Sequence, residues 1–200
     1  MKVLLAIVTG DATASLGFAV SLLRLQSALA VARRPIEAAL APVPSFCAAV
    51  KLAAGDPSFD ALVVVRTTIS FSEAFVLKAL TESSHQFVTG VFPLPVVDWE
   101  RVRAKAGSPE SAAFRGNSYN IDASAVRFSS SGYATVPSAV PGAYVLRREA
   151  IEATRECADD SQLCAAWGKA VHADLDNQCA NFGPLEFVGC IGARAAAASS

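Results

Sequence analysis

Ala61-Leu62-Val63-Val64-Val65 is an unbroken apolar run rich in β-branched side chains, and the polar tripeptide Arg66-Thr67-Thr68 ends it. A strand with no polar alternation has both faces buried, which calls for helices on both sides of a largely parallel sheet. Downstream, Ile69, Phe71, Phe75, Val76 and Ala79 fall at helical spacing. Ser72 is placed as an N-cap, with Glu73 in the first turn. Open α/β sheets bind ligands beyond the carboxyl ends of their strands. Arg66 to Thr68 therefore mark the first place to look for a site.

The flanking sequence repeats the alternation. Val3 to Val8 reads as a strand, and Thr9-Gly10-Asp11 as the turn at its carboxyl end. A helix follows over 14–32, with Leu16, Ala19, Val20, Leu23 and Ser27 along one side, and Arg33-Arg34-Pro35 breaks it. Ile36 to Val43 is a second strand. Pro44-Ser45 opens a short helix that Gly55-Asp56-Pro57 closes. Gln86 to Phe92 is a further strand. Strand and helix alternating over the first ninety or so residues predict a mainly parallel, doubly wound α/β sheet.

The second half reads differently. Residues 107–120 are rich in Gly, Ser, Pro and Ala and read as loop. Val126 to Phe128 and Tyr133 to Val136 form a candidate hairpin, a small antiparallel segment. Tyr144 to Leu146 and Val171 to Ala173 are short apolar strands, with helices over 147–157 and 161–167. A single domain over 1–194 is expected, with 195–200 a flexible Ala/Ser tail.

Composition narrows the function classes. The chain has 200 residues, 52% hydrophobic and 18% charged, with a formal net charge of −1. That balance lacks the basic surplus of a nucleic-acid binder, so no nucleic-acid partner is expected. The apolar run after Lys2 stops after about six residues, short of the roughly 7–15 of a signal core. No run reaches the ~18 residues of a membrane span. The five cysteines show no Cys-x-x-Cys pair, and there are two histidines, so neither zinc nor a disulfide framework is indicated. Reduced, packed cysteines point to a cytoplasmic setting. His85 and His172 have no partner at motif spacing and receive no role.

Several segments carry a resemblance to a family. Val88-Thr89-Gly90-Val91-Phe92-Pro93, then Asp98-Trp99, is similar to a strand ending in Gly-x-Tyr-Pro with a downstream Asp-Trp. Pro141-Gly142-Ala143-Tyr144-Val145-Leu146-Arg147-Arg148-Glu149-Ala150 is similar to a Gly-Thr-Gly-x-x-Leu-Ile-Arg-Arg-Glu segment. Asp159-Asp160-Ser161-Gln162-Leu163-Cys164, with Gly168 and Asp174 beyond, is similar to a Glu-Asp-x-x-Phe-Cys helix. Asn181-Phe182-Gly183 stands where His-x-Gly is common. In this order, over residues 3–189, they resemble the small GT-A-fold glycosyltransferases of large DNA viruses and some bacteria. Members of that family carry Asp-x-Asp at the end of the central strand, where this chain has Arg66 and Thr68.

The resemblance implies a nucleoside-diphosphate sugar as donor. Thr9, Gly10 and Asp11 fall where the family receives base and ribose, and Lys51 near a nucleotide-contacting Arg. Arg66 and Thr68 fall at the diphosphate, and Trp99, Gly142 and Asp159 near the acceptor. Asp160 matches the family's general base. A viral member would work in the host cytoplasm or the virion.

The chemistry itself demands a partner for the leaving diphosphate's charge and a carboxylate for the acceptor hydroxyl. Hard divalent cations want carboxylate oxygens. A cationic Arg66 beside Thr68, with Asn181 in place of His, does not supply them, so no metal cofactor is expected. Arg66 is read in two ways: forked onto phosphate oxygens in place of the metal, or paired with a nearby carboxylate at a strand end. Asp159 or Asp160 equally suits an N-cap, Thr9 to Asp11 a polar turn, Lys51 a solvated helix position, and Trp99 and Trp167 ordinary packing. The functional alternatives are a metal-independent glycosyltransferase-like protein and a non-catalytic descendant acting as a structural, binding or regulatory subunit. An enzyme aims Arg66 into an open cleft beside Thr9 and Asp160; a scaffold buries it in a salt bridge.

Overall fold

The computed structural model describes residues 1–10, 14–32, 35–104, 107, 117–122, 125–128, 132–177 and 179–181. The expected tail at 195–200 and Asp11 lie outside these residues.

The apolar runs become the middle of one eight-stranded sheet. Its inner strands are β1 (Lys2–Val8), β3 (Ala61–Arg66), β10 (Ala143–Arg147), β5 (Phe87–Gly90) and β11 (Val171–Asp174). β2 (Glu37–Val43) forms one edge, and β9 (Tyr133–Val136) with β8 (Arg127–Phe128) the other. β2, β1 and β3 are parallel. β10 runs antiparallel between β3 and β5, and β11 is again parallel to β5. The hairpin β8–β9 closes the sheet with antiparallel pairing. The fold is thus mixed α/β with a mainly parallel central sheet and a small antiparallel segment in the second half.

β3 shows why its sequence has no polar alternation. Ala61 through Val65 are all at most 1% exposed. Leu62 and Val64 face one core layer with Leu4, Ala6, Tyr144, Leu146 and Phe46. Val63 and Val65 face the other with Val3, Leu5, Val145, Phe18 and Phe75. Each such side chain contributes about 1.5–3 kcal/mol when fully buried.

The two layers are supplied by helices on opposite faces. α2 (Phe46–Gly55) covers the first with Phe46, Ala49, Val50 and Ala53. Ser45 caps it, accepting from the Ala48 N–H at 3.1 Å. α1 (Leu16–Ala30) covers the second, capped by Ser15 accepting from Phe18 N–H. The side of α1 that is buried is not the expected one. Its buried residues are Phe18, Ser21 and Leu25, while Leu16 is 81% and Leu23 64% exposed. Arg24 is the helix's lone charge, so apolar spacing does not single out a face. Ser21 decides it: its hydroxyl meets Ser70 Oγ at 3.0 Å and accepts from Phe71 N–H at 3.0 Å.

The helix expected from the Ser72 cap is present, with a short strand ahead of it and a change of pitch within it. Ile69–Ser70 is a short strand, β4, paired with β12 (Ala180–Asn181). α3 (Glu73–Leu77) then starts at the Ser72 cap and continues as a π-turn over Lys78–Glu82. β6 (Pro93–Val97) and β7 (Asn117–Tyr119) pair outside the main sheet, with α4 (Trp99–Ala104) between them. Within the loop-like stretch, Asn120 is 2% exposed. Its side chain accepts from Phe92 N–H and donates to Gly90 C=O at 2.9 Å. α5 (Arg148–Thr154), a 3₁₀ turn over Asp160–Gln162 and α6 (Leu163–Trp167) follow β10. Among the described residues, no helix is long and apolar enough to cross a membrane.

Candidate functional site

The carboxyl ends of β1, β2 and β3 end level with one another. Val8 is in register with Val43 on one side and Arg66 on the other. Beyond them, Thr9 N–H donates to Val43 C=O at 3.1 Å and Thr67 N–H to Val8 C=O at 3.2 Å. Thr67 is buried, and its carbonyl takes the Ser15 N–H at the start of α1. Its neighbours Arg66 and Thr68 are respectively exposed and half-buried, so the strand end presents these two outward.

Arg66 is held by its backbone and left open at its head. Its N–H donates to Gly142 C=O at 2.8 Å. Its guanidinium carbon lies 5.8 Å from the centroid of the Phe46 ring, a stacking distance for a cation on an aromatic face. Among the described residues it has no carboxylate partner. Phe46 opens α2, so Arg66 stands beside the N-terminus of that helix.

Asp160 reaches the same helix end from the far half of the chain. Its Oδ1 accepts from the Cys47 N–H at 2.9 Å. The first-turn N–H groups of α2 are thereby taken at two points, by Ser45 and by Asp160. A carboxylate there also meets the positive end of the helix dipole. Arg66 and Asp160, 94 positions apart in sequence by their numbers, thus contact the adjacent residues Phe46 and Cys47.

The Cys47 thiol beside this contact is pushed up to about 12, first by burial and then by the neighbouring Cys157 and Asp160. Lys51, exposed on α2, acts on it weakly in the opposite sense. Tyr144 sits under the pair, fully buried, its hydroxyl donating to Ala139 C=O at 2.9 Å. Burial raises the Tyr144 phenol well above its ordinary range.

The remaining sequence candidates divide. Thr9 and Gly10 are exposed at the end of β1, on the same edge as Arg66. Gly142 is buried, and a Cβ there would lie 2.1 Å from Phe92 Cζ. It packs against that ring and anchors Arg66. Asp159 spends its carboxylate locally: Oδ1 takes Ser161 N–H at 2.9 Å and Gln162 N–H at 3.2 Å, and Oδ2 takes Gln162 Nε2 at 2.9 Å. The Ser161 side chain leads the causes that hold its pKa below the usual carboxylate range. Asp159 is thus the N-cap and Asp160 the residue that reaches across. Trp99 opens α4 and is 46% exposed. Asn181 donates to Pro93 C=O at 3.2 Å.

Arg66, Thr67 and Thr68 offer a cation and two neutral hydroxyls, a donor set that does not fit a hard divalent metal. Among the described residues, no group of three or more His, Cys, Asp or Glu side chains is arranged to hold a metal ion. Phe46 and the Cys47 N–H escaped the sequence reading. The one signal for them was the Pro44-Ser45 helix start, which places residues 46 and 47 at the strand ends.

No family model matches this sequence, and no curated protein matches it. Solved structures do match in fold. A197 from STIV aligns with a TM-score of 0.56 and 12% identity, over 92% of this chain and 87% of that one. UDP-glucose pyrophosphorylase complexed with UDP-glucose aligns with a TM-score of 0.51 and 9% identity, over 96% of this chain and 97% of that one. The shared property is the fold. Both alignments span nearly all of each chain, so the likeness is to the entire sheet with its helices and not to one βαβ unit.

Proposed function

We propose that this protein binds a nucleoside-diphosphate sugar at the carboxyl edge of its parallel strands, with Arg66 meeting the diphosphate. The observation that carries this reading is the exposed Arg66 guanidinium, without a carboxylate partner among the described residues. It stands on the strand end where α/β folds take their ligands. A planar guanidinium forks onto phosphate oxygens and supplies the positive charge that a metal supplies elsewhere. The fold likeness to a pyrophosphorylase solved with UDP-glucose supports the ligand class. The GT-A-like segments support glycosyl transfer as the reaction, independent of metal, with Asp160 as the base that takes the acceptor's proton. Thr9, Gly10, Asp11, Lys51 and Thr68 are the proposed nucleotide contacts, and Trp99 the proposed acceptor contact.

A second reading is favoured by the bond from Cys47 N–H to Asp160. That carboxylate oxygen is engaged in a structural contact at a helix N-terminus rather than turned toward an acceptor. On that reading the protein binds the nucleotide sugar without turning it over, as a structural, binding or regulatory subunit.

Calorimetric titration with a panel of UDP-, GDP- and dTDP-sugars, with and without manganese, tests both. Binding that is unchanged by manganese and lost in Arg66→Ala supports the site. Absence of binding at millimolar ligand overturns it. Product formation separates the transferase from the binding subunit.

A further inference from the structure

Away from that edge, His85 and His172 stack face to face. Their ring centroids are 3.5 Å apart and their planes 11° from parallel. His172 lies on β11, in register with Val88 of β5 and Thr135 of β9. His85 belongs to the link between the π-turn and β5. This link is fastened at both ends by one residue. Arg147 donates its guanidinium to Ala79, Leu80 and Ser83 C=O at 3.0, 2.8 and 3.1 Å, and its N–H to Gln86 C=O at 2.8 Å. Between those anchors, His85 N–H reaches Ser83 Oγ at 3.0 Å. The ring of His85 is otherwise held by His172 and by an edge contact to Tyr133, at 4.9 Å.

The charged neighbours do not favour a protonated stack. Lys78, on the π-turn, lies 4.5 Å from the Tyr133 ring centroid, and the Arg147 guanidinium holds the Ser83 carbonyl two residues before His85. Asp174 and Asp176 are engaged by Lys78 at 3.6 and 2.8 Å, and Asp174 further by the Asn177 side chain at 3.0 Å. Glu82 acts on Tyr133. Val88 and Thr135 carry no charge. No carboxylate contacts either imidazole among the described residues, and His172 Nδ1 is buried with no hydrogen-bond partner there.

We propose that the His85–His172 stack is a pH-sensitive latch: neutral, the rings hold the Ser83–Gln86 link against β11, and protonated, they repel and release it. Two unit charges at this spacing weaken binding of the second proton roughly tenfold even at the dielectric of water. Burial lowers both imidazole pKa values, and His85 lowers that of His172 further. A base whose folded pKa is depressed contributes stability above its unfolded value, near 6.5, and that stability is lost as pH falls below it. The latch is closed at neutral pH and opens on acidification.

The chain has two histidines, so imidazole NMR of the full chain reads them directly. Titrating from pH 8 to 4.5, both midpoints should fall below about 6.5, with the second proton bound at least about tenfold more weakly. Amide exchange at residues 84–86, corrected for its intrinsic pH dependence, should accelerate through the same range. His85→Phe keeps an aromatic ring on His172 and removes the second charge. It should raise the His172 midpoint and abolish the acid-dependent opening. A wild-type midpoint at or above 6.5, or opening that persists in His85→Phe, overturns the latch. Should that variant fail to fold, the wild-type midpoints and exchange decide alone.

Discussion

The Asp160 carboxylate accepts the Cys47 backbone N–H at 2.9 Å, which fastens the 3₁₀ turn after α5 to the N-terminus of α2. Together with the bond from Arg66 N–H to Gly142 C=O, it joins the two halves of the chain at the edge where Arg66 emerges. It gives Asp160 a structural duty whatever its chemical one.

Asp160→Ala should therefore cost about 0.5–2 kcal/mol of stability, the usual range for losing a side-chain cap. Asp160→Asn keeps an acceptor and loses the dipole interaction, so it should cost less. Denaturant melts of the two variants check the order. If the protein is a transferase, Asp160→Asn should also lower turnover by about 10²–10⁴-fold, the share of a general base.

Arg66→Ala should leave stability within about 0.5 kcal/mol, since the side chain is exposed and holds no ion pair among the described residues. It should weaken nucleotide-diphosphate binding by about 1.5–3 kcal/mol, the range for hydrogen bonds to charged groups. Arg66→Lys keeps the charge and loses the fork, so it should fall between. Calorimetry with UDP-glucose measures all three. Equal affinities for the wild type and Arg66→Ala would place the ligand elsewhere.

Gly142→Ala should destabilise by about 1–3 kcal/mol through overpacking, because the new Cβ would stand 2.1 Å from Phe92 Cζ. Phe92→Leu in the same chain should recover part of that loss. A double-mutant cycle by thermal unfolding reads the coupling, and additive costs would argue against the contact.

Thiol reactivity follows from burial. Cys47, Cys157, Cys164 and Cys179 are free and buried. Burial leads the causes that push Cys47 and Cys179 up to about 12 and raise Cys157 and Cys164. The thiolate is the reactive form, so at pH 8 these four should react with an aromatic disulfide reagent only as fast as the protein unfolds. Rapid titration of all the thiols in the native protein would contradict this.

The sequence by itself determined the layered α/β plan. β-Branched runs such as Leu62 to Val65 have no way to be satisfied except between two helical layers, and Ser45 and Ser72 mark helix starts through local hydrogen bonds. It also placed Arg66 and Thr68 at a strand's carboxyl end, because strand and helix periods are local properties. Tertiary structure decided what local periodicity does not encode. The face α1 buries was set by Ser21 reaching Ser70 and Phe71, about fifty positions away. The antiparallel insertion of β10 between β3 and β5 depends on pairing between distant segments. The meeting of Asp160 with Cys47, the ring of Phe46 beside Arg66, and the stacking of His85 on His172 are contacts between residues that sequence spacing leaves unrelated. They arise only once the sheet has brought its strand ends and edges into register.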